Sequence, residues 1–433
     1  MTDAALTAFG SRQALRKILR TCLVTLVALC ACRPQNVNTR VGADAWRADL
    51  RHLERELPLR HLNAFHTVSR ERFAAEVARV EGALPQMNDD ERLVGLMRIT
   101  ALVGDGHTHL DLPPGFPRYP VELGWFGDEL RVVATTPEYQ AALGARVLGI
   151  GASPLERVMA LASELVPRGE NDGRTRFTAT MLLGSPEVLH GLGIIEERER
   201  APFNLETTSG ERVTVAFAPT RLGGPSELRM AGGETPPLYL QRLGEPLWMT
   251  LLPDGRTAYV SFSRYPPGPE FREHASALAR LLDESRATRL VIDLRRNGGG
   301  DFGSFRQTLL PIIQGRAAVN RRGGLFVITG VGTFSAAMVN ALDLRHKANA
   351  ILVGSPTGAR PNSYGEHGEF RLPNTGLRVS YSTRYYRFGA DSEVAVVPDR
   401  LAEPTWEEFR AGRDPALEWI LSYTPGEATS AGD

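Results

Sequence analysis

Gly323–Asn340, GGLFVITGVGTFSAAMVN, is the stretch on which the fold turns. Leu325–Thr329 is a run of apolar and β-branched residues, with Gly323 and Gly324 before it and Gly330 and Gly332 after it. A short apolar run bounded by glycine predicts a strand. Ser335 then opens an Ala-rich segment with a helical pattern, so the chain passes from strand to helix through a tight turn. A serine there has two readings. As an N-cap it satisfies one orphan backbone donor of the helix. As a nucleophile it stands at the helix mouth with only the small Ala336 and Ala337 behind it.

Outward from this stretch the same alternation repeats. TAYVSF (257–262), RLVIDL (289–294) and AILVG (350–354) read as strands. EFREHASALARLLDES (270–285), FGSFRQTLLPII (302–313) and Ser335–Lys347 read as helices. Successive βαβ units predict a mostly parallel sheet. LRVSYSTRYYRF (377–388) alternates as an amphipathic strand does.

Towards the N-terminus the pattern changes. Phe73, Val77, Val80 and Leu84 fall on one helical face, and Asn88 with Glu91 forms a capping pair for a following helix carrying Leu93, Leu96 and Met97. Residues 44–112 are expected to form a helical domain ending in the segment GDGHTHL, and the Pro-rich Pro113–Pro120 marks its boundary. VELGWF and ELRVVA, joined by Gly127-Asp128, predict a β-hairpin, and LGARVLGIGASPLERVMALASEL a strand, turn and helix. Residues 113–200 are thus expected to form a small inserted α+β module and 201–424 the main core, with 425–433 a frayed tail. The turn-rich Thr207–Pro246 suits no element clearly.

The 433 residues are 42% apolar and 23% charged with zero net charge, which fits a globular chain of two or three domains and gives no footing for nucleic acid. The three cysteines, Cys22, Cys30 and Cys32, all lie in the leader, so the body has neither an internal disulfide nor a Cys metal cluster. Arg12, Arg16, Lys17 and Arg20 precede the apolar run CLVTLVALCAC. That run is about half the roughly 20 residues a spanning helix needs, so residues 1–32 read as a secretory signal. Leu29-Cys30-Ala31-Cys32 resembles a bacterial lipobox with Cys32 as the lipidated residue, followed by a polar tether over 33–43. The expectation is an exported lipoprotein facing the periplasm, touching the membrane through its anchor.

An activated serine needs oxyanion donors, a base and a group to orient that base. Donors are available. VIDLRRNGGGD places Asn297, Gly298, Gly299 and Gly300 directly after a buried strand, where ligands of such sheets sit. The Ala336 N–H, at a helix start, supplies another. For the base, the only lysines are Lys17, in the leader, and Lys347. Twelve residues of helix separate Lys347 from Ser335, about 18 Å. That leaves histidine, and His107 in its glycine-flanked turn leads, with His109 as the rival. Glu393, Asp105 and Glu366 are the carboxylates available to orient it. No spacing of His, Asp or Glu calls for a metal, and no cofactor is expected.

VIDLRRNGGGD, VGTFSAAM and GSPTGARPNSYGE, in that order, resemble the C-terminal processing (tail-specific) serine peptidases over about Arg256–Arg400. The resemblance implies an α/β crotonase-like βαβ core, with an N-terminal helical domain and an inserted PDZ-like module whose carboxylate-binding loop is not visible. It makes Ser335 the nucleophile and Gly299 with Ala336 the oxyanion hole. In one branch of that family the segment matching PTGARPN carries a catalytic Lys; here Arg360 stands there, and Arg does not lose its proton near neutrality. GDGHTHL and SEVAVVPD resemble the tricorn-like branch, which implies His107 as base and Glu393 as its orienter. Gly106 stands where tricorn has a Ser. The function implied is hydrolysis of envelope peptides through an acyl-enzyme. The competing expectation is a non-catalytic module for peptides or hydrophobic ligands; acyl-CoA chemistry fits poorly with export.

Overall fold

The structure, a computed structural model, describes residues 37–221, 227–233 and 235–424. The signal segment 1–32, Cys32 and the tail 425–433 lie outside them. Three helices come first, α1 (Ala43–Arg60), α2 (Arg70–Ala83) and α3 (Asp89–Ala101). The Ser69 side chain accepts from the Arg72 N–H at the start of α2, and Asn88 with Glu91 closes the expected capping box on α3. A two-residue strand, β1 (His109–Leu110), follows. Among the described residues no helix is long and apolar enough to cross a membrane.

The inserted unit runs through β2 (Val121–Phe126), β3 (Glu129–Thr135), β4 (Arg146–Ile150), β5 (Ser153–Pro154), α4 (Leu155–Ser163), α5 (Asp172–Leu182), α6 (Pro186–Gly191), β6 (Ala201–Glu206), β7 (Arg212–Phe217) and β8 (Arg229–Met230). Its sheet has the order β2-β3-β4-β6-β7, with β5 on β4 and β8 on β3. The expected boundary at 200 is therefore too early. β6 alternates buried and half-buried residues, and pairs with β7 antiparallel from Ala201↔Phe217 to Glu206↔Arg212, so this hairpin completes the module. Leu130, Val132, Val147, Val158, Phe203 and Phe217 share one core.

The main unit comprises β9 (Leu247–Leu251), β10 (Thr257–Phe262), α7 (Gly268–Ser285), β11 (Arg289–Asp293), α8 (Phe302–Gln307), α9 (Leu309–Gln314), β12 (Leu325–Thr329), α10 (Ala336–Lys347), β13 (Ile351–Gly354), β14 (Ser363–Arg371), β15 (Arg378–Tyr386), β16 (Arg400–Leu401), α11 (Trp406–Arg410) and α12 (Pro415–Ser422). Six strands form a sheet in the order β16-β13-β12-β11-β10-β9, all parallel except β9. One face of it, with Val260, Ile292 and Val327, packs on Phe271, Phe305 and Met338; the other, with Tyr259, Val291 and Phe326, packs on Leu417 and Ile420. Cover on both sides is why these strands read as unbroken apolar runs. The single helix expected over 302–313 is broken at Thr308, because Pro311 lacks an N–H and its ring crowds the carbonyl four residues back.

β1 pairs with β15 and β15 with β14 in a separate three-stranded sheet, and Phe370, Leu372, Leu377 and Val379 join the helical core of Trp46, Leu50, Phe73 and Leu96. The helices of the N-terminal part and the β14–β15 hairpin thus share one core. Asp49, fully buried, locks them: it accepts from the Asn374 and Thr375 N–H groups (both 2.8 Å), from Thr375 Oγ1 (2.6 Å) and from Asn374 Nδ2 (2.9 Å). Asp49→Ala strands these donors, so the unfolding free energy should fall by about 3 kcal/mol or more in a urea titration.

Candidate active site

β12 ends at Thr329, and the turn after it is fastened to the end of β11. Phe334 N–H donates to the Asn297 carbonyl (3.0 Å), Thr333 Oγ1 donates to the Leu294 carbonyl (2.8 Å), and a Cβ on Gly332 would lie 2.5 Å from the Arg295 carbonyl oxygen. Ser335 takes φ +51°, ψ −124°, a strained setting for a residue with a Cβ. Its hydroxyl caps nothing. The N-cap reading therefore fails. The hydroxyl instead meets the His107 ring, Nε2 to Oγ 2.9 Å, across 228 residues of sequence.

His107 is placed by Asp105. Oδ1 of Asp105 accepts the His107 backbone N–H (2.9 Å) and the Ser382 hydroxyl (2.7 Å); Oδ2 accepts the Thr108 hydroxyl (2.6 Å) and His61 Nε2 (2.7 Å). His61 Nδ1 accepts the Asn63 N–H (2.9 Å), so its proton sits on Nε2 and points at Asp105. Burial pushes the Asp105 carboxyl up, but these donors outweigh it and hold it at about 2. Burial also pulls the His107 imidazole down to about 4; the Asp105 charge opposes that, while His109, His367 and Arg174 reinforce it. His107 is therefore neutral at pH 7, with the Phe334 ring 4.8 Å from its own.

The expected orienter is not in place. His107 Nδ1 is buried and has no hydrogen-bond partner among the described residues. Glu393 is exposed, and its carboxylate lies beside Gly389. Glu366 takes the Tyr386 hydroxyl and lies 3.8 Å from Arg384, and Asp105 reaches His107 only through its backbone. The rival base is also separated, His109 Nε2 lying 3.3 Å from Asp111. Lys347 is paired with Asp343 at 2.6 Å.

The oxyanion donors divide. Gly299 lies against Ser335 at φ +113°, where a Cβ would come within 2.7 Å of Ser335 Cβ. Its N–H, however, donates to Asn297 Oδ1 (2.9 Å), so it does not point a free donor at Ser335 as expected. The Asn297 amide in turn donates to the Phe262 carbonyl (3.0 Å), fixing the whole turn. Among the described residues the Ala336 N–H has no acceptor and remains a candidate donor.

One group escaped sequence reasoning altogether. The inserted module sends Gly169–Asn171 between the loops that carry the site. Glu170, buried, accepts the Gly106 N–H (3.3 Å) on one oxygen and the Arg360 N–H (3.1 Å) on the other. Arg360 also donates to the Gly169 carbonyl (3.1 Å), and Asn171 Nδ2 donates to the Thr357 and Val394 carbonyls (3.1 and 3.0 Å). Burial raises the Glu170 carboxyl to about 7, against those two backbone donors. No residue pattern in RGEN announces this clip.

No protein-family model matches the sequence, and no curated protein matches it. Among solved structures the chain is similar to mature CPAF complexed with lactacystin, at 13% identity and a TM-score of 0.56, over 87% of this chain and 97% of that one. Mature CPAF alone gives 14%, 0.56, 87% and 96%. The photosystem II D1 C-terminal processing protease aligns at 15% identity over 86% and 98%, with a TM-score of 0.40. At these identities what is shared with CPAF is the fold.

Proposed function

We propose that this chain is a serine peptidase of the C-terminal processing type, of the branch that uses histidine as base, built on a crotonase-like core with a PDZ-like insert. The observation that carries the reading is the 2.9 Å contact between His107 Nε2 and Ser335 Oγ, made from opposite ends of the sequence by a neutral ring and an uncapped hydroxyl. The fold shared with CPAF supports it. His107 takes the hydroxyl proton as Ser335 Oγ bonds to the peptide carbonyl carbon, and returns it to the amine as the C–N bond breaks; a water, deprotonated by the same ring, then releases the acyl group. The Ala336 N–H holds the oxyanion together with an N–H of the glycine turn other than that of Gly299, which Asn297 Oδ1 already takes. Asp105 and Glu170 act as positioning residues. Substrates are peptides or unfolded proteins of the envelope, reached by an exported chain anchored through Cys32.

The test is twofold: labelling of Ser335 by a fluorophosphonate, and turnover rather than retention of envelope peptides. A chain that retains peptides intact and resists the label is a binding module instead. The clip gives a further expectation. Glu170→Ala leaves two backbone donors bare and loosens the base-bearing loop, so the labelling rate should fall about 10- to 100-fold. Glu170→Gln keeps one acceptor and should recover part of that loss.

A further inference from the structure

We propose that Arg174 reads a carboxylate on the substrate beside the scissile bond, supplied by an acidic side chain or by a chain terminus. The inference rests on the peptidase reading of Ser335 and His107. Asn171 caps α5 by accepting the Arg174 N–H (2.9 Å), and the first turn of the helix lies against the nucleophile turn: a Cβ on Gly173 would be 3.6 Å from Val331 Cγ2. This delivers the guanidinium over Phe334, with Cζ 4.0 Å from the ring centroid, and the same ring lies 4.8 Å from the His107 imidazole. Cation and base therefore share one aromatic wall, next in sequence to Ser335.

Arg174 has no ion-pair partner among the described residues. Among the described residues its guanidinium makes neither a hydrogen bond nor an ion pair, only ring contacts to Phe334 and, at 5.6 Å, Phe177. Two other interior arginines show the contrast: Arg295 holds Asp293 and Asp414 (2.9 and 2.8 Å), and Arg289 donates to the Leu421 and Tyr423 carbonyls (3.0 and 3.1 Å). The carboxylate that acts on Arg174 through space, Glu170, is already taken by two backbone N–H groups. Burial lowers the Arg174 group to about 10, so it is still charged at neutrality. A half-buried fork of five donors with no acceptor fits a planar, bidentate carboxylate.

Quenched fluorogenic peptides in Glu/Gln pairs at each position flanking the cleaved bond, each made as free acid and as C-terminal amide, test this on the full chain. At one position the wild type should favour the carboxylate member about tenfold or more in kcat/KM. The pair in which the preference falls separates an acidic side chain from a chain terminus. Arg174→Gln should bring that ratio close to one, and Arg174→Lys, which keeps charge but loses the fork, should keep only part of it. A wild type indifferent to charge in every pair, or a ratio that survives Arg174→Gln, overturns the proposal; the wild-type comparison stands even if the variant fails to fold. Fluorophosphonate labelling run alongside separates the two failures. A chain that takes the label but ignores charge loses the Arg174 assignment alone, and one that is neither labelled nor active loses both.

Discussion

Ser335→Ala should reduce peptide hydrolysis by about 10⁴- to 10⁶-fold and abolish fluorophosphonate labelling. The size of the loss follows from what the hydroxyl does and does not do. It bonds no helix N–H, so its removal costs α10 no cap, and the His107 ring is its polar partner. The strained backbone at φ +51° is unchanged by the substitution, because alanine carries the same Cβ. The thermal midpoint should therefore stay within about 3 °C of the wild type, since an exchange without lost packing or capping alters stability by under ~0.5 kcal/mol. Loss of rate with the midpoint held marks a chemical role. Loss of both would make the serine a structural residue, and labelling that persists would move the nucleophile elsewhere.

What the sequence makes legible, and what it does not, follows the range of the forces involved. Ser335 was legible because a buried strand, a glycine turn and a helix are written in consecutive residues. His107 was legible by elimination, since two lysines are too few and too badly placed, and because a glycine-flanked histidine at a boundary is conspicuous. Glu393 shows the limit. SEVAVVPD carries a carboxylate, yet whether that carboxylate turns inward depends on packing such as its approach to Gly389, which no short motif encodes. Glu170 and Arg174 were invisible for a related reason: their roles come from the docking of an inserted module onto two distant loops. The β6–β7 hairpin, by contrast, carried a readable signal, since APFNLE alternates and Ser209-Gly210 is a turn. It was obscured by the turn-rich segment that follows.

His107→Gln should lower kcat/KM by about 10³-fold, within the range general-base removal produces, and the wild-type pH profile should show why. Burial is the largest influence on the ring, which is held at about 4 against an ordinary 6.5. If His107 is the base, its neutral ring is the competent form, so the limb that it sets in kcat/KM should fall to half near pH 4 rather than near 6.5, any smaller step near 7 belonging to Glu170. Stability carries the same sign. The unfolded chain takes up a proton on this histidine near 6.5 and the native one only near 4, so between those values the unfolded state binds more protons. The contribution of a neutral buried His107 is thus complete above 6.5 and declines as pH drops towards 4. A urea midpoint followed from pH 7 to pH 4 should slope downward more steeply in the wild type than in His107→Gln, whose amide does not titrate. An acid limb near 6.5 in the rate profile, with equal slopes in the two proteins, would mean that the ring is solvated in the working enzyme. The 2.9 Å contact with Ser335 would then belong to a resting arrangement rather than to the step that breaks the peptide bond.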